Sequence, residues 1–151
     1  MIYLTHEEGC QPVYKTRHAA CADVVARVDV VLPQTCTAGT ARAYPTLVPT
    51  GLRISAVDLE QYAGAFIPEL QLRARSGLSM QGIILANGIG TIDADYRDEI
   101  KVPLINLTGK PVTIRRGERI AQLTLGLRPK LVSALLESDE RSGGFGSTGN
   151  D

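Results

Sequence analysis

Residues 87–99 read NGIGTIDADYRDE, and how this stretch folds decides how the chain is built. Asn87, Gly88 and Gly90 favour a turn, because glycine and asparagine enter backbone conformations that other residues avoid. Asp93 and Asp95 stand two apart, so on a strand they share a face. Tyr96 adds a flat wall beside them. The spacing predicts a β-hairpin, with strands at 83–86 and 91–92 around a turn at 87–90. A plain connecting hairpin does not need two acids, a phenol and exposed backbone. Two further polar clusters flank it, RARSGLSMQG at 73–82 and RSGGFGSTG at 141–149.

Outward from this centre the chain is a succession of short extended runs. Residues 24–32, VVARVDVVL, place Val24, Ala26, Val28, Val30 and Leu32 on one side and Arg27 and Asp29 on the other, and Pro33 ends the run. Residues 35–44 read as a polar loop. Residues 46–54 resume extended structure with a turn at 49–51. In 66–73, Ile67, Glu69, Gln71 and Arg73 alternate with Pro68, Leu70 and Leu72. Residues 99–107 and 111–114 form a pair around 108–110, 119–127 follows a turn at Arg116–Gly117, and 130–136 is the last strand. Helix is scarce, with one short candidate at 76–81. Many short strands punctuated by Gly and Pro indicate an all-β, jelly-roll-like barrel over 1–136. Residues 137–151 form a glycine-rich arm that buries little on its own, yet carries an arginine and a phenylalanine.

Composition narrows the function. Lys plus Arg number 16 and Asp plus Glu number 16, so the chain has no broad positive footprint and is not expected to bind nucleic acid. A small anion needs only a local cluster. No signal segment and no membrane-length apolar run is visible. The three cysteines, Cys10, Cys21 and Cys36, lack zinc-finger or disulfide spacing and fit a cytoplasmic setting, or a host cell interior if the source is viral.

Several residues could carry chemistry, each with a plainer alternative. Arg75, Ser76 and Gly77 stand where a strand meets the short helix: phosphate-binding amides, guanidinium and hydroxyl, or an ordinary cap with a surface arginine. Asp93 is either a general base on a water, a hard-metal ligand with Asp95, or a solvated acid. The 87–90 turn either reads a planar base through its backbone or merely connects. Asp23 either reaches a metal through water or is a solvated loop acid. Gln122 either donates to phosphate or faces solvent. Phe145 either stacks on a ring or belongs to a linker that also holds Ser147 and Thr148. His6 and His18 form no convincing pair.

Taken together the clusters resemble the five ordered motifs of the trimeric dUTP diphosphatases (dUTPases). The matches are TLVPTGL at 46–52, RSGL at 75–78, GTIDADYR at 90–97, GERIAQL at 117–123 and GGFGSTG at 143–149. The resemblance runs from about residue 19 to 149. It implies a jelly-roll subunit in a homotrimer whose three active sites lie at subunit boundaries. Residues 86–96 of one chain, Asn87, Gly90, Thr91 and Ile92 among them, would bind deoxyuridine, with Tyr96 under the sugar. A neighbour would supply Arg75, Ser76, Gly77 and Gln122 to the phosphates, and its Asp23 would help place Mg²⁺ through water. The third chain would lend its arm, with Phe145 over the uracil and Arg141, Gly146, Ser147 and Thr148 on the phosphates. Asp93 would align the water that attacks the α-phosphorus of dUTP, giving dUMP and pyrophosphate. Asp95 would be structural, for example pairing with Arg97.

The sequence departs from the family pattern at Cys21–Ala22 before Asp23, at Asp98 where glycine is usual, and in the spacing of Arg141 to Phe145. Two other readings follow. A dCTP deaminase would share the fold but release ammonia, and an inactive trimer would bind dUTP without turnover.

Overall fold

The computed structural model describes residues 1–34, 36–37, 40–41, 44–58, 60 and 66–129. In chain order these form β1 (Ile2–His6), β2 (Ala22–Val25), β3 (Val30–Leu32), β4 (Cys36–Thr37), β5 (Thr40–Ala41), β6 (Thr46–Val57), β7 (Phe66–Arg73), α1 (Ser76–Ser79), β8 (Ile83–Leu85), β9 (Ile89–Asp93), β10 (Ile100–Asn106), β11 (Val112–Ile114) and β12 (Arg119–Pro129). Two four-stranded antiparallel sheets, in the orders β1-β6-β10-β8 and β2-β12-β7-β9, make up the body. Two small ribbons, β11-β3 and β4-β5, complete it. The fold is all-β and jelly-roll-like, as the turn spacing predicts.

The core follows from the period-2 alternation of the long strands. On β10, Ile100, Val102 and Leu104 point inward while Lys101, Pro103 and Ile105 alternate with them. On β7, Pro68, Leu70 and Leu72 are the inward set, in the predicted phase. These side chains join Val48, Leu52 and Ile54 of β6 and Ile120 and Leu123 of β12 in one apolar cluster between the sheets. Each such side chain, once buried, contributes about 1.5–3 kcal/mol.

Several expectations are corrected. Residues 24–32 are not one strand: β2 stops at Val25 and β3 starts at Val30. The two belong to different sheets, and Val28 is exposed. The bend between them is held by the turn before β12. Ala26 N–H donates to Glu118 O at 2.9 Å, and Asp29 accepts from Arg116 N–H at 2.8 Å and from Arg115 at 2.7 Å. Nor does the chain turn at 49–51. There β6 runs on through a bulge in which Ile100 pairs with Leu52 but Lys101 with Pro49, so Thr50 and Gly51 are the extra residues. Gly51 has φ +72°, and a Cβ there would lie 3.1 Å from Cys10 Sγ. β8 and β9 are not paired with each other: β8 pairs with β10 and β9 with β7, so residues 86–88 cross between sheets. β11 likewise pairs with β3 rather than with β10. The predicted loop at 35–44 contains the β4-β5 ribbon, and the helix is a single turn, Ser76–Ser79, anchored by buried Leu78. The predicted strand at 130–136 and the arm at 137–151 lie outside the described residues.

A buried asparagine ties the β10–β11 corner to β3. Asn106 donates to Leu32 O at 3.1 Å and Lys110 O at 2.8 Å, and accepts from Thr108 N–H at 2.9 Å and Thr108 Oγ1 at 2.7 Å. Its amide is fully satisfied, as burial demands.

On the opposite face of β7, Glu69 folds over Gly126 of β12, where a Cβ would meet its Oε1 at 2.9 Å. Hydrogen bonds from Gln71 and Arg128 hold the Glu69 carboxyl below the ordinary glutamate range, outweighing its burial. A carboxyl with a depressed folded-state pKa adds stability above the unfolded value and loses it as pH falls through the folded one. Glu69→Gln is therefore expected to destabilise by about 1 kcal/mol at pH 7, or about 2–4 °C in Tm. Thermal melts from pH 3 to pH 8 should show the gap from wild type closing below about pH 4.

Candidate active site

The sheet crossing at Asn87–Gly88 opens a cleft of about 360 Å³. It is lined by Asn87, Gly90, Thr91, Ile92, Asp93 and Tyr96, by Leu72 of β7 beside Gly90, and by Leu47, Ile100, Lys101 and Pro103 of the other sheet. The first six are candidates named from sequence, and the fold brings them together. Gly88 makes the corner with φ +67°. Gly90 is packed so closely that a Cβ would lie 3.0 Å from Asn87 Nδ2 and 3.1 Å from Leu72 Cβ. Among the described residues β9 is the edge strand of its sheet, and on its outer side its backbone faces no strand. An edge of this kind can hydrogen-bond a flat ligand as it would another strand.

Asp93 ends β9 at the mouth of this cleft. Among the described residues its carboxylate has neither a hydrogen bond nor an ion pair. The turn that follows is held by Tyr96 N–H donating to Asp93 O at 3.1 Å, and the Tyr96 hydroxyl donates to Glu99 O at 3.3 Å. Arg97 donates to Ala94 O at 2.8 Å, so it is the backbone and not Asp95 that engages it.

A second polar cluster forms where β7 leaves its sheet. Asp23, on β2, is buried to 5% exposure, which removes the reading as a solvated loop acid. Its Oδ1 lies 3.3 Å from Arg75 Nε and its Oδ2 3.0 Å from Arg119. Gln122 Nε2 donates to Oδ1 at 3.4 Å, and Arg75 donates to Arg119 O at 2.8 Å. Burial pushes the Asp23 carboxyl up. The hydrogen bonds from Arg119 and Gln122 and the charges of Arg75 and Arg119 outweigh it, so the pKa lies below the ordinary value. Arg75 and the single-turn helix present Ser76 and Gly77 to solvent, and no side chain caps the helix. A Cβ at Gly77 would meet nothing within 4 Å, so packing inside this chain does not require glycine there.

The two groups stand apart in one chain. Asp93 pairs in register with Glu69, and Arg75 lies six residues further along the same extended segment. At about 3.3 Å per residue that separation is about 20 Å. The arm candidates Arg141, Phe145, Gly146, Ser147 and Thr148 lie outside the described residues. Sequence reasoning missed Arg119, which shares Asp23 with Arg75. Its one signal was position, three residues before Gln122 at the start of a strand after a tight turn.

An all-β fold that offers a cleft with a carboxylate unpartnered among the described residues, and a separate cluster of guanidiniums, has the parts of a nucleotide-hydrolysing enzyme. Comparison with known proteins makes this particular. The dUTPase family pattern matches residues 8–149. The deoxyuridine 5'-triphosphate nucleotidohydrolases of Rickettsia massiliae and Rickettsia felis are each 42% identical over 151 residues, covering 97% of this chain and 93% of theirs. Among solved structures, the Streptococcus mutans dUTPase superposes with TM-score 0.69 at 22% identity, covering 87% of this chain and 98% of that one. A dUTPase from phage phi11 of S. aureus superposes with TM-score 0.66 at 16% identity, covering 95% and 99%, and is described with a structural Mg(II) ion. The chain belongs to the dUTPase family, and dUTP hydrolysis is its activity.

Removing Asp23 strands two guanidiniums around a buried position. Asp23→Ala is expected to cost about 2 kcal/mol, discounted from the about 3–5 kcal/mol of a fully buried pair because both arginines are partly exposed. Arg119→Ala should cost less than about 1 kcal/mol. Urea unfolding midpoints measure both.

Proposed function

We propose that this chain hydrolyses dUTP to dUMP and pyrophosphate at sites shared between copies of a homotrimer, with Asp93 aligning the attacking water. One observation carries the reading: the Asp93 carboxylate lines a cleft with no partner among the described residues, and the Arg75 cluster stands about 20 Å away along the neighbouring β7 segment. That gap is several times hydrogen-bond reach, which supports a site completed by the Arg75 cluster of another copy.

In this reading uracil lies against Asn87, Gly90, Thr91 and Ile92 and is read by their backbone groups. Tyr96 packs on the deoxyribose, its hydroxyl tied down by Glu99 O, and leaves no room for a ribose 2′-hydroxyl. Arg75, Ser76, Gly77 and Gln122 of a neighbour grip the phosphates, with Asp23 holding Arg75 in place. The arm at 137–151 closes over the site, with Phe145 on the base and Arg141, Gly146, Ser147 and Thr148 on the phosphate chain.

Asp93 accepts a proton from the water as its oxygen bonds to the α-phosphorus. The bond from that phosphorus to the bridging oxygen of the β-phosphate breaks in line, and pyrophosphate leaves with the electron pair. Arg75 and the Ser76 hydroxyl stabilise the negative charge that gathers on the leaving oxygen. Asp95, in the turn beyond Asp93, takes no part in the step.

Magnesium fits this site as a companion of the nucleotide. Among the described residues no group of three or more acids, cysteines or histidines could cage an ion, and both oxygens of Asp23 contact guanidiniums. Mg²⁺ is commonly held by substrate phosphates, waters and one or two carboxylates, so Asp23 would reach it through water. Bound there, it would neutralise charge on the triphosphate. The setting is the intracellular nucleotide pool, in the cytoplasm or a host cell interior. Among the described residues no helix is long and apolar enough to cross a membrane. The zero net charge argues against a nucleic-acid partner.

Incubation with each dNTP and Mg²⁺ should release pyrophosphate rapidly from dUTP alone and ammonia from none. Asp93→Asn is expected to lower kcat by about 10²–10⁴-fold with KM changed only a few-fold, the pattern of a lost transition-state interaction. Co-refolding Asp93→Asn with Ser76→Ala subunits tests the sharing of sites. Hybrids in which one subunit brings Asp93 and its neighbour brings Ser76 should exceed both parents in activity. Hybrids no better than the parents would place the whole site within one chain.

A further inference from the structure

Tyr96 is held at both ends. Its N–H donates to Asp93 O at 3.1 Å and its hydroxyl donates to Glu99 O at 3.3 Å, so the residue spans the turn between β9 and β10. Residues 95–98 of that turn are exposed, and Arg97 bonds back to Ala94 O within it. The turn rejoins the body at Glu99, whose side chain is 11% exposed and which precedes buried Ile100. What fixes Glu99 therefore fixes one end of the phenol.

The body side of Glu99 is the β6 bulge. Ile100 pairs with Leu52 but Lys101 with Pro49, which leaves Thr50 and Gly51 outside the ladder. Bulged residues keep their N–H and C=O groups, and when buried, as both are here, these need partners. Glu7 N–H donates to Gly51 O at 3.1 Å, and Gly51 N–H donates to Glu99 Oε1 at 2.8 Å. Thr50 Oγ1 donates to Ile100 O at 2.5 Å and accepts from Leu52 N–H at 3.2 Å. Arg27 braces the same point: its Nε lies 3.0 Å from Glu99 Oε1, and its N–H donates to Pro49 O at 2.9 Å. The Glu99 carboxylate thus stands in for the ladder acceptor that the bulge removes, while the carbonyl of the same residue takes the Tyr96 hydroxyl.

We propose that Glu99 is a positioning residue for sugar selection: its carboxylate pins the turn to the β6 bulge, and the pinned carbonyl holds Tyr96 against the deoxyribose. This rests on the reading of Tyr96 as the wall under the sugar. Glu99 is not among the residues lining the cleft, so it acts through the phenol and not on the nucleotide. UTP differs from dUTP by one hydroxyl. An apolar wall rejects an added hydroxyl weakly unless its shape is rigid, and rigidity comes from the residues behind the wall. A ring tied at its hydroxyl to an anchored carbonyl keeps that space closed. A ring whose tether moves with an unpinned turn opens it.

The test is the ratio of kcat/KM for dUTP to that for UTP, read as pyrophosphate release, with thermal melts alongside. Glu99→Ala should lower the ratio about tenfold or more. Glu99→Gln keeps an oxygen for Gly51 N–H and should hold the ratio within about threefold of wild type. Tyr96→Phe, which loses the tethered hydroxyl, should also lower the ratio, and adding Glu99→Ala to it should change the ratio by less than about twofold more, because both act through one contact. Asn106→Ala, a destabilising change at the β10–β11 corner, should lower Tm and leave the ratio within about twofold. Should Glu99→Ala fold poorly, Glu99→Met takes its place, filling the same space without an acceptor. An unchanged ratio in Glu99→Ala overturns the assignment, as do full additivity with Tyr96→Phe and an equal fall in Asn106→Ala, which would make the effect one of general loosening. If Tyr96→Ala leaves the ratio where it stands, or wild type fails to hydrolyse dUTP, the reading of the site fails instead, and the failures are told apart.

Discussion

The register of β7 between β12 and β9 is the constraint on which the arrangement of the site depends. Gln122 of β12 sits opposite Arg73, and Asp93 of β9 sits opposite Glu69. β12 in turn sets Gln122 against Asp23 of β2. One hydrogen-bonded ladder thus places the guanidinium cluster at one end of the sheet and the carboxylate at the other. A slip of one residue would turn Leu70 and Leu72 out of the core, so the apolar cluster between the sheets enforces the spacing of the polar groups. Packing that shows no chemistry of its own thereby decides where the chemistry can occur.

Polar groups of low exposure fix what the sheets leave free. Asn106 closes the β10–β11 corner, Glu99 holds the bulge beside the cleft, and Asp23 locks Arg75. Each would cost several kcal/mol if left unsatisfied at burial, so each specifies one loop geometry rather than adding much net stability. Glu99 matters most to the cleft. Through its carboxylate it fixes Gly51 and Arg27, and through its carbonyl it meets Tyr96.

Much of this was legible in the residues. β7 alternates without interruption, so its ends and phase could be read directly, and the RSGL and GTIDADYR stretches announced the two polar groups. Reading failed where the chain changes sheet. The alternation from Val24 to Leu32 continues through a bend, because a count of every second residue cannot register that the partner strand has changed. The same blindness made residues 83–92 resemble a hairpin, although their two strands bond to different neighbours. Pro49 and Gly51 signalled a turn where a long strand merely bulges, since both chain forms use a glycine at positive φ. Asp23 looked like a loop acid because its two arginines come from positions 75 and 119, and ion pairs at such separation leave no trace in local pattern.

The division of charges explains how the Asp93 carboxylate stays unpaired among the described residues in a chain with as many cations as anions. Arg75 and Arg119 are occupied by Asp23, Arg27 by Glu99, Arg115 by Asp29 and Arg128 by Glu69. Arg97, the arginine closest in sequence to Asp93, is turned onto a backbone carbonyl. If one of these guanidiniums reached Asp93 within the same chain, a close ion pair would form, and the carboxylate would be a weaker base toward water. Separating the two groups along a rigid sheet prevents that internal pairing. In the proposed shared site the arginines would meet the carboxylate's neighbourhood only across a subunit boundary, with the negatively charged phosphates between them, and that ordering would leave Asp93 to water rather than to a salt bridge.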